Sequence, residues 1–574
     1  MSNSVAKTIY PVDYVEKMPA RFKPAAVFSD HAVFQRNQPV RIFGECPTGS
    51  FVTATLLHKN KWAAAGECFS KPSEKVMSPL NEEFLITLKP QEAGTDYSLT
   101  ITCKFPDGHE ETKTFSDIAF GEVWLAGGQS NMELELQNCK TGKDSLSNDK
   151  NVDVRFYYTQ KVAFFGEDFY NHENNSGWSC FDSESAKSWS AVGYYFAKEL
   201  SKKLGCIVGV IGCNWGGTSA TAWTDEELLK KDAELSTYFD NYSADRSLDE
   251  QKADTEEYEA YAAAWQKRVD AFYAENPKGK WSEVLAACGE CRYPGPRNSF
   301  LFNRPSGLYH TMLMRVAPYT IKGVIYYQGE SDDHKPALYE KLLTTMIVNW
   351  RRIFRNADMP FLFVQLPVYR TNEDPDFKHW CIIRQCQQKV FDNIKNTGMA
   401  VTYELGAWNN IHPVDKTQVA HRLYLQAAHG VYGVISEEEA CAPSFDYALV
   451  ENYGKKDAKG VNLGINLGIG ADWEQECCTI RIFLKNAGKA LQKKLVLPEN
   501  DNRPLEEIPE ALFELSEDGE NYYPAIWNLC KDTINLTCDE VSHPRYVRYA
   551  WSNYSRISIF GANGLPLAPF TAEI

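Results

Sequence analysis

Ser130 stands in the run Gly127-Gly128-Gln129-Ser130-Asn131-Met132, directly after the aliphatic stretch Val123 to Ala126. A serine hydroxyl is a weak nucleophile until a neighbouring base takes its proton. Acyl transfer also needs N–H groups that face the developing oxyanion. A Gly-rich turn after a strand can expose the hydroxyl and leave its own N–H free. The same turn can also be an ordinary strand-to-helix junction with Ser as N-cap. Three further polar turns each follow an aliphatic stretch. Asn214-Trp215-Gly216-Gly217-Thr218 follows Cys206 to Ile211 and offers glycines, which let backbone approach a ligand closely. Tyr326-Tyr327-Gln328-Gly329-Glu330-Ser331 ends the stretch from Val324 and offers a Gln amide able to donate to an oxyanion. Asn410-Ile411-His412-Pro413 places an imidazole in a polar loop, where exposure is the rule. A nucleophile, a base and oxyanion donors are the minimum set for acyl transfer.

These turns need a scaffold that brings them to one edge. From about Ala119 the aliphatic stretches, continuing through Phe361 to Val364 and Met399 to Tyr403, alternate with longer helical segments. That alternation predicts an α/β fold with a parallel sheet and helices on both faces. In such sheets ligands bind outside the carboxyl ends of the strands, where all four turns fall. The chain divides into an N-terminal extension (1–24), a β domain (25–118), the α/β domain (119–438) with a helical insertion at about 224–296, and a β-rich region (439–574). The β domain is read from Val40 to Phe43, Phe51 to Leu57, Phe84 to Leu88 and Tyr97 to Cys103, a rhythm that suggests a small sandwich. The C-terminal region is read from Thr479 to Leu484, Tyr546 to Trp551 and Ile557 to Phe560. Within the insertion, Thr224 with Glu227 fits a capping box. Tyr258, Tyr261, Trp265, Val269 and Phe272 recur at helical spacing, as a packing face or as a lid.

Bulk properties narrow the classes. The 574 residues exceed one core, so two to four domains are expected. A formal net charge of -16 argues against nucleic acid and against an anionic membrane surface as partners. No apolar run reaches the length of a membrane span. Residues 1–24 carry Lys7, Asp13, Glu16 and Lys17 and have no apolar core of a signal peptide. Of the 16 cysteines, Cys103, Cys206 and Cys213 sit in strand-like runs and read as reduced core residues. Cys288 and Cys291 form one C-x-x-C, far from Cys477-Cys478, so no metal is expected. A cytoplasmic location follows as an expectation.

The Ser130 run is not G-x-S-x-G, so it does not match the nucleophile elbow of the α/β-hydrolases. The chain resembles the sialate O-acetylesterase family within the SGNH (GDSL-like) hydrolases. The resemblance rests on Gly128-Gln129-Ser130-Asn131-Met132, Trp215-Gly216-Gly217-Thr218, Tyr327-Gln328-Gly329-Glu330-Ser331 and Ile411-His412-Pro413. It extends to Phe28-Ser29-Asp30 and Val33-Phe34-Gln35-Arg36 near the start, and to Arg545 to Trp551, Asn563-Gly564-Leu565-Pro566 and Pro569-Phe570 near the end. It implies an SGNH-hydrolase (flavodoxin-like) core and removal of acetyl groups from sugars, with no cofactor. Ser130 would attack the acetyl carbonyl and His412 would act as general base. The Ser130 N–H, the Gly216 or Gly217 N–H and the Gln328 side chain would bind the oxyanion.

One position departs from the family pattern. Related sequences carry Asp two residues before the histidine, where this chain has Asn410, preceded by Asn409. In a serine protease that exchange costs about four orders of magnitude in turnover. The expectation is a Ser-His dyad with Asn410 as orienter, or substitution by Glu404 or Asp415, the nearest carboxylates in sequence. Gln129, Asn131, Trp215, Tyr327, Glu330 and Arg384 are candidate substrate contacts, Arg384 for a sugar carboxylate. Trp223 and Tyr326 can stack on a sugar or pack in the core, and His310 and His334 flank the third turn. Three readings stay open: an esterase on acetylated sialic acid, the same chemistry on xylan, mannan or xyloglucan fragments, and a carbohydrate-binding protein with impaired catalysis. The partner is an acetylated sugar or oligosaccharide in each case, and the oligomeric state is not legible.

Overall fold

The computed structural model describes residues 21–71, 82–150, 152–165, 169–240, 242, 246–277, 279, 281–292, 295–370, 378–455, 476–496 and 512–574. Most of the N-terminal extension therefore lies outside the described residues, as do the Cys477 and Cys478 side chains.

A large mixed sheet organises the chain. Its centre is β1 (Glu110–Gly128), followed by β2 (Val154–Tyr158), β3 (Val208–Asn214), β4 (Gly323–Tyr327), β5 (Phe361–Val364) and β6 (Thr397–Ala400). These run parallel in the order β2-β3-β1-β4-β5-β6, and Trp178–Cys180 adds an antiparallel edge beside β2. Strand β1 serves two units. Its first half is exposed and pairs antiparallel with Gly94–Lys104, while its second half is buried on both faces, as central parallel strands are. The boundary read at 118/119 thus falls inside one continuous strand. The N-terminal β elements also include Lys61–Phe69, a strand without a clear apolar alternation.

Helices cover both faces of the parallel part. After the single turn α1 (Ser130–Glu133), these are α2 (Ala191–Leu204), α4 (Tyr339–Ile353), α5 (His379–Asn393) and α6 (Thr417–Gly430), while α3 (Leu248–Glu275) lies in the insertion. Successive side chains along a strand alternate faces. Trp124 meets Phe196 of α2 edge to face. Three residues on, at the opposite parity, Gly127 lies under the Trp350 indole of α4, where an added Cβ would stand 2.8 Å from the ring. Helices α2 and α4 therefore pack on opposite faces, α6 beside α2 and α5 beside α4.

In the insertion, the first short helix is capped by Asp225, whose side chain accepts the Glu227 N–H, and not by Thr224. The Thr224 hydroxyl donates to the Ala220 carbonyl instead. Helix α3 starts with the Ser247–Glu250 capping box and buries only Gln251, Trp265 and Val269. Trp265 and Val269 pack with Val284, with Cys288 and Cys291 alongside, so the C-x-x-C pair lies in a small apolar cluster. The C-terminal β-rich region forms sheets of its own, and its core includes Val368, Tyr403 and Trp408 from the α/β part.

Candidate active site

Strand β1 lies between β3 and β4, and the chain moves to one side of it through β2 and β3 and to the other through β4. In open α/β sheets ligands bind where the strand order reverses, here the carboxyl end of β1. Gly128 closes the strand with φ +134°, where an added Cβ would stand 2.2 Å from the Tyr327 carbonyl oxygen, so a side chain is excluded there. Ser130 opens α1, a single turn in which its N–H has no intrahelical acceptor. The Ser130 hydroxyl lies 2.8 Å from His412 Nε2. The two residues are 282 positions apart in sequence.

The His412 loop is held by amides. Asn410 Oδ1 accepts the backbone N–H of His412 at 2.9 Å, so Asn410 shapes the loop and makes no hydrogen bond to the ring. The carboxylates near in sequence are engaged elsewhere. Asp415 accepts from the Thr417 N–H and hydroxyl, and Glu404 is paired with Arg422. Among the described residues none makes a hydrogen bond to His412 Nδ1. Burial, and then the charge of Lys416, push the His412 pKa below its ordinary value, and Glu133 acts in the opposite direction.

Asn131, beside the nucleophile, is buried and fully bonded. Its Nδ2 donates to Glu330 Oε1 at 2.5 Å and to the Ile411 carbonyl at 2.9 Å. Its Oδ1 accepts from Lys416 Nζ at 2.6 Å. One amide thus ties the nucleophile turn, the β4 turn and the histidine loop together. Burial pushes the Glu330 carboxyl upward and lowers the Lys416 ammonium to about 8. The network leaves Glu330 Oε2 buried with no hydrogen bond.

The β3 turn lies against the nucleophile. An added Cβ on Gly216 would stand 3.2 Å from the Ser130 Cβ. The Gly216 N–H is not open to an oxyanion in this structure, because it donates to Glu133 Oε2 at 2.6 Å. Glu133 in turn pairs with Lys161. Gly217 has φ +70°, and its carbonyl accepts from Asn303 at 3.1 Å. Trp215 is half-buried and stacks on Phe302 with centroids 4.8 Å apart, and Lys161 Nζ lies 5.8 Å from its ring.

Several expected site residues turn away. Gln328 is 1% exposed. Its Nε2 donates to Asp332 at 2.6 Å and to the Thr218 carbonyl at 3.2 Å, and its Oε1 accepts from Tyr339 at 2.9 Å. With both amide hydrogens in use it has none for an oxyanion. Gln129 Oε1 accepts the Ser331 N–H at 3.1 Å and braces the two turns. Tyr327, Tyr326 and Trp223 are core residues, and Glu330 belongs to the buried Asn131 network. Arg384 is fully buried, donating to the Pro367 and Ser552 carbonyls with its guanidinium 5.0 Å from the Tyr403 ring centroid. It joins the α/β part to the C-terminal region and is not a sugar-carboxylate contact. His310 is buried, its pKa pushed down to about 3 by burial, whereas His334 is exposed and bonded to the Ser331 carbonyl.

Sequence reasoning missed Glu133, Lys161, Lys416 and Asp332. Glu133 had a signal: three residues after Ser130 on a helix, it falls on the same face. Asp332 directly follows the Gln328-to-Ser331 turn and bonds Gln328 four residues back, whereas Lys161 is brought in by tertiary packing.

Residues 295–427 match the family model described as "Carbohydrate esterase, sialic acid-specific acetylesterase". The sialate O-acetylesterase of Mus musculus is 26% identical over 448 residues, which cover 72% of this chain and 74% of that protein. The sialate O-acetylesterase of Homo sapiens is 25% identical over 438 residues, covering 72% and 71%. Among solved structures, a carbohydrate acetylesterase from Xanthomonas citri superposes with a TM-score of 0.67 at 22% identity, over 96% of this chain and 99% of that one. The similarity to the sialate O-acetylesterase family read from the motifs is thereby upheld.

Proposed function

We propose that this protein is a serine carbohydrate O-acetylesterase that acts through a Ser130–His412 dyad on an SGNH-type, flavodoxin-like core. The observation that carries this reading is the 2.8 Å contact between the Ser130 hydroxyl and His412 Nε2 at the carboxyl edge of the central strand. His412 takes the Ser130 proton as Oγ adds to the acetyl carbonyl. Its depressed pKa keeps the ring neutral and ready to accept that proton. The oxyanion is assigned to the backbone N–H groups of Ser130 and Gly217. His412 then protonates the departing sugar oxygen, and deprotonates the water that releases acetate from the acetyl-serine. The likeness to carbohydrate acetylesterases supports the substrate class. An intact dyad favours hydrolysis over a binding-only role.

The relatives' names point to acetylated sialic acid. A second reading, acetylated hemicellulose fragments, is favoured by two observations. Arg384 is buried and bonded to the Pro367 and Ser552 carbonyls, and the stacked Trp215–Phe302 pair beside the nucleophile offers an aromatic face to a neutral sugar ring. Acetate release from 9-O-acetylated sialic acid and from an acetylated hemicellulose oligosaccharide, measured side by side, decides between them. Activity on neither ester would overturn the proposed function.

The buried, unpaired thiols of Cys103, Cys206 and Cys213 support a reducing, cytoplasmic setting, which is part of the same proposal. The division into domains read from the sequence is also part of it, with strand β1 crossing the 118/119 boundary.

A further inference from the structure

The dyad leaves one question of charge. Proton transfer from Ser130 turns His412 into an imidazolium, and no carboxylate among the described residues hydrogen-bonds its Nδ1. The acidic groups nearest in sequence are committed elsewhere: Asp415 to Thr417, and Glu404 to Arg422. One carboxylate does stand beside the nucleophile. Glu133 Oε2 accepts the Gly216 N–H at 2.6 Å and lies 3.4 Å from the position of an added Gly216 Cβ, which itself would be 3.2 Å from the Ser130 Cβ. Its other oxygen is paired with Lys161. It thus reaches the site from the nucleophile's own helix, beside the β3 turn.

We propose that Glu133 is a positioning residue for this site, supplying the negative charge that stabilises the His412 imidazolium while its bond to the Gly216 N–H fixes the β3 turn against Ser130. This rests on the serine-esterase reading above. Two functions meet in one side chain, and they separate chemically. Glutamine keeps an oxygen that accepts the Gly216 N–H but carries no charge. Lys161 sets how much of the charge is felt, because an ammonium beside a carboxylate cancels part of its field. The other charged groups about the ring are Lys416 and the buried Glu330 joined through Asn131, and Asp415 with Lys140 on the loop side. Lys416 disfavours the imidazolium and Glu133 favours it.

The test is the pH profile of kcat/KM for hydrolysis of 4-nitrophenyl acetate by the wild-type chain, Glu133→Gln and Lys161→Met. Wild-type hydrolysis that disappears in Ser130→Ala establishes the underlying reading first; its absence would overturn that reading separately. Glu133→Gln is expected to lower kcat about tenfold and to move the acid limb to lower pH by up to about one unit, because a removed negative charge makes the imidazolium harder to form. Lys161→Met is expected to move the same limb to higher pH. Opposite displacements support the proposal. A Glu133→Gln enzyme with wild-type kcat and an unmoved limb would show that only the hydrogen bond to Gly216 matters, and would overturn it.

Discussion

Asn410 Oδ1 accepts the backbone N–H of His412 at 2.9 Å and makes no hydrogen bond to the imidazole. The residue at the expected acid position therefore sets the path of the loop, and the ring is aligned by that loop and by Ser130. Asn410→Ala removes one backbone-directed hydrogen bond, a contribution of about 1 kcal/mol. Acetyl ester turnover in this variant is expected to fall by about tenfold or less. A loss of about four orders of magnitude, as when a triad acid is replaced, would show that Asn410 acts on the ring.

The electrostatics of His412 predict an enzyme that stays active in mild acid. Burial and Lys416 depress its pKa below the ordinary 6.5. The basic form then persists to lower pH, so the acid limb of kcat/KM is expected below pH 6.5. Lys416→Met removes a positive charge and is expected to move the limb upward, measured on the folded fraction. A limb that does not move in this variant would mean that the two groups do not sense each other.

Gln328 is expected to matter for stability more than for chemistry. Its amide joins Asp332, Tyr339 and the Thr218 carbonyl in a buried network. Gln328→Ala removes these bonds; Asp332 keeps the Ser219 hydroxyl and the Ala220 N–H, and Tyr339 keeps the backbone carbonyl of position 328, so the loss falls chiefly on the Thr218 carbonyl, at a cost of about 1 to 3 kcal/mol. Thermal denaturation should show a lowered midpoint, while kcat at a temperature where the variant is folded stays within about tenfold of wild type. A loss of about a hundredfold or more in a stable variant, the signature of a deleted oxyanion donor, would restore Gln328 to the oxyanion site.

The aromatic rim predicts a difference between substrates. Trp215→Ala removes a face on which a sugar ring can lie, whereas a small alkyl acetate has no ring to stack there. KM for an acetylated oligosaccharide is expected to rise about tenfold, with little change for ethyl acetate. Equal effects on both substrates would mean that Trp215 serves only to hold the β3 turn.

Much of this site was legible before any coordinates. The parallel strands were visible because central strands are apolar on both faces, as in Val123 to Ala126 and Phe361 to Val364. Ser130 and His412 were visible because polar turns follow such strands. Strand β2 was missed, since Arg155 interrupts its apolar run; the guanidinium donates to the His31 and Asp117 carbonyls. Gln328 was read as an oxyanion donor, whereas its amide lies in a buried network in this structure, because a glutamine after a strand can point outward or inward. The path of the turn after β4, which sets Asp332 and Tyr339 against the amide from 4 and 11 positions further on, decides which. The surroundings of Arg384 were hidden for a different reason: its partner at Ser552 lies 168 positions away in sequence.

The central claim is that Ser130 is the nucleophile, and the most direct test is acetate release by Ser130→Ala beside the wild-type chain, with circular dichroism to verify that both are folded. Loss of the nucleophile from a serine hydrolase removes several orders of magnitude in kcat. A drop of at least about a thousandfold on an acetylated sugar, matched by His412→Ala, is the predicted result. Release by a folded Ser130→Ala chain within about tenfold of wild type would contradict the account.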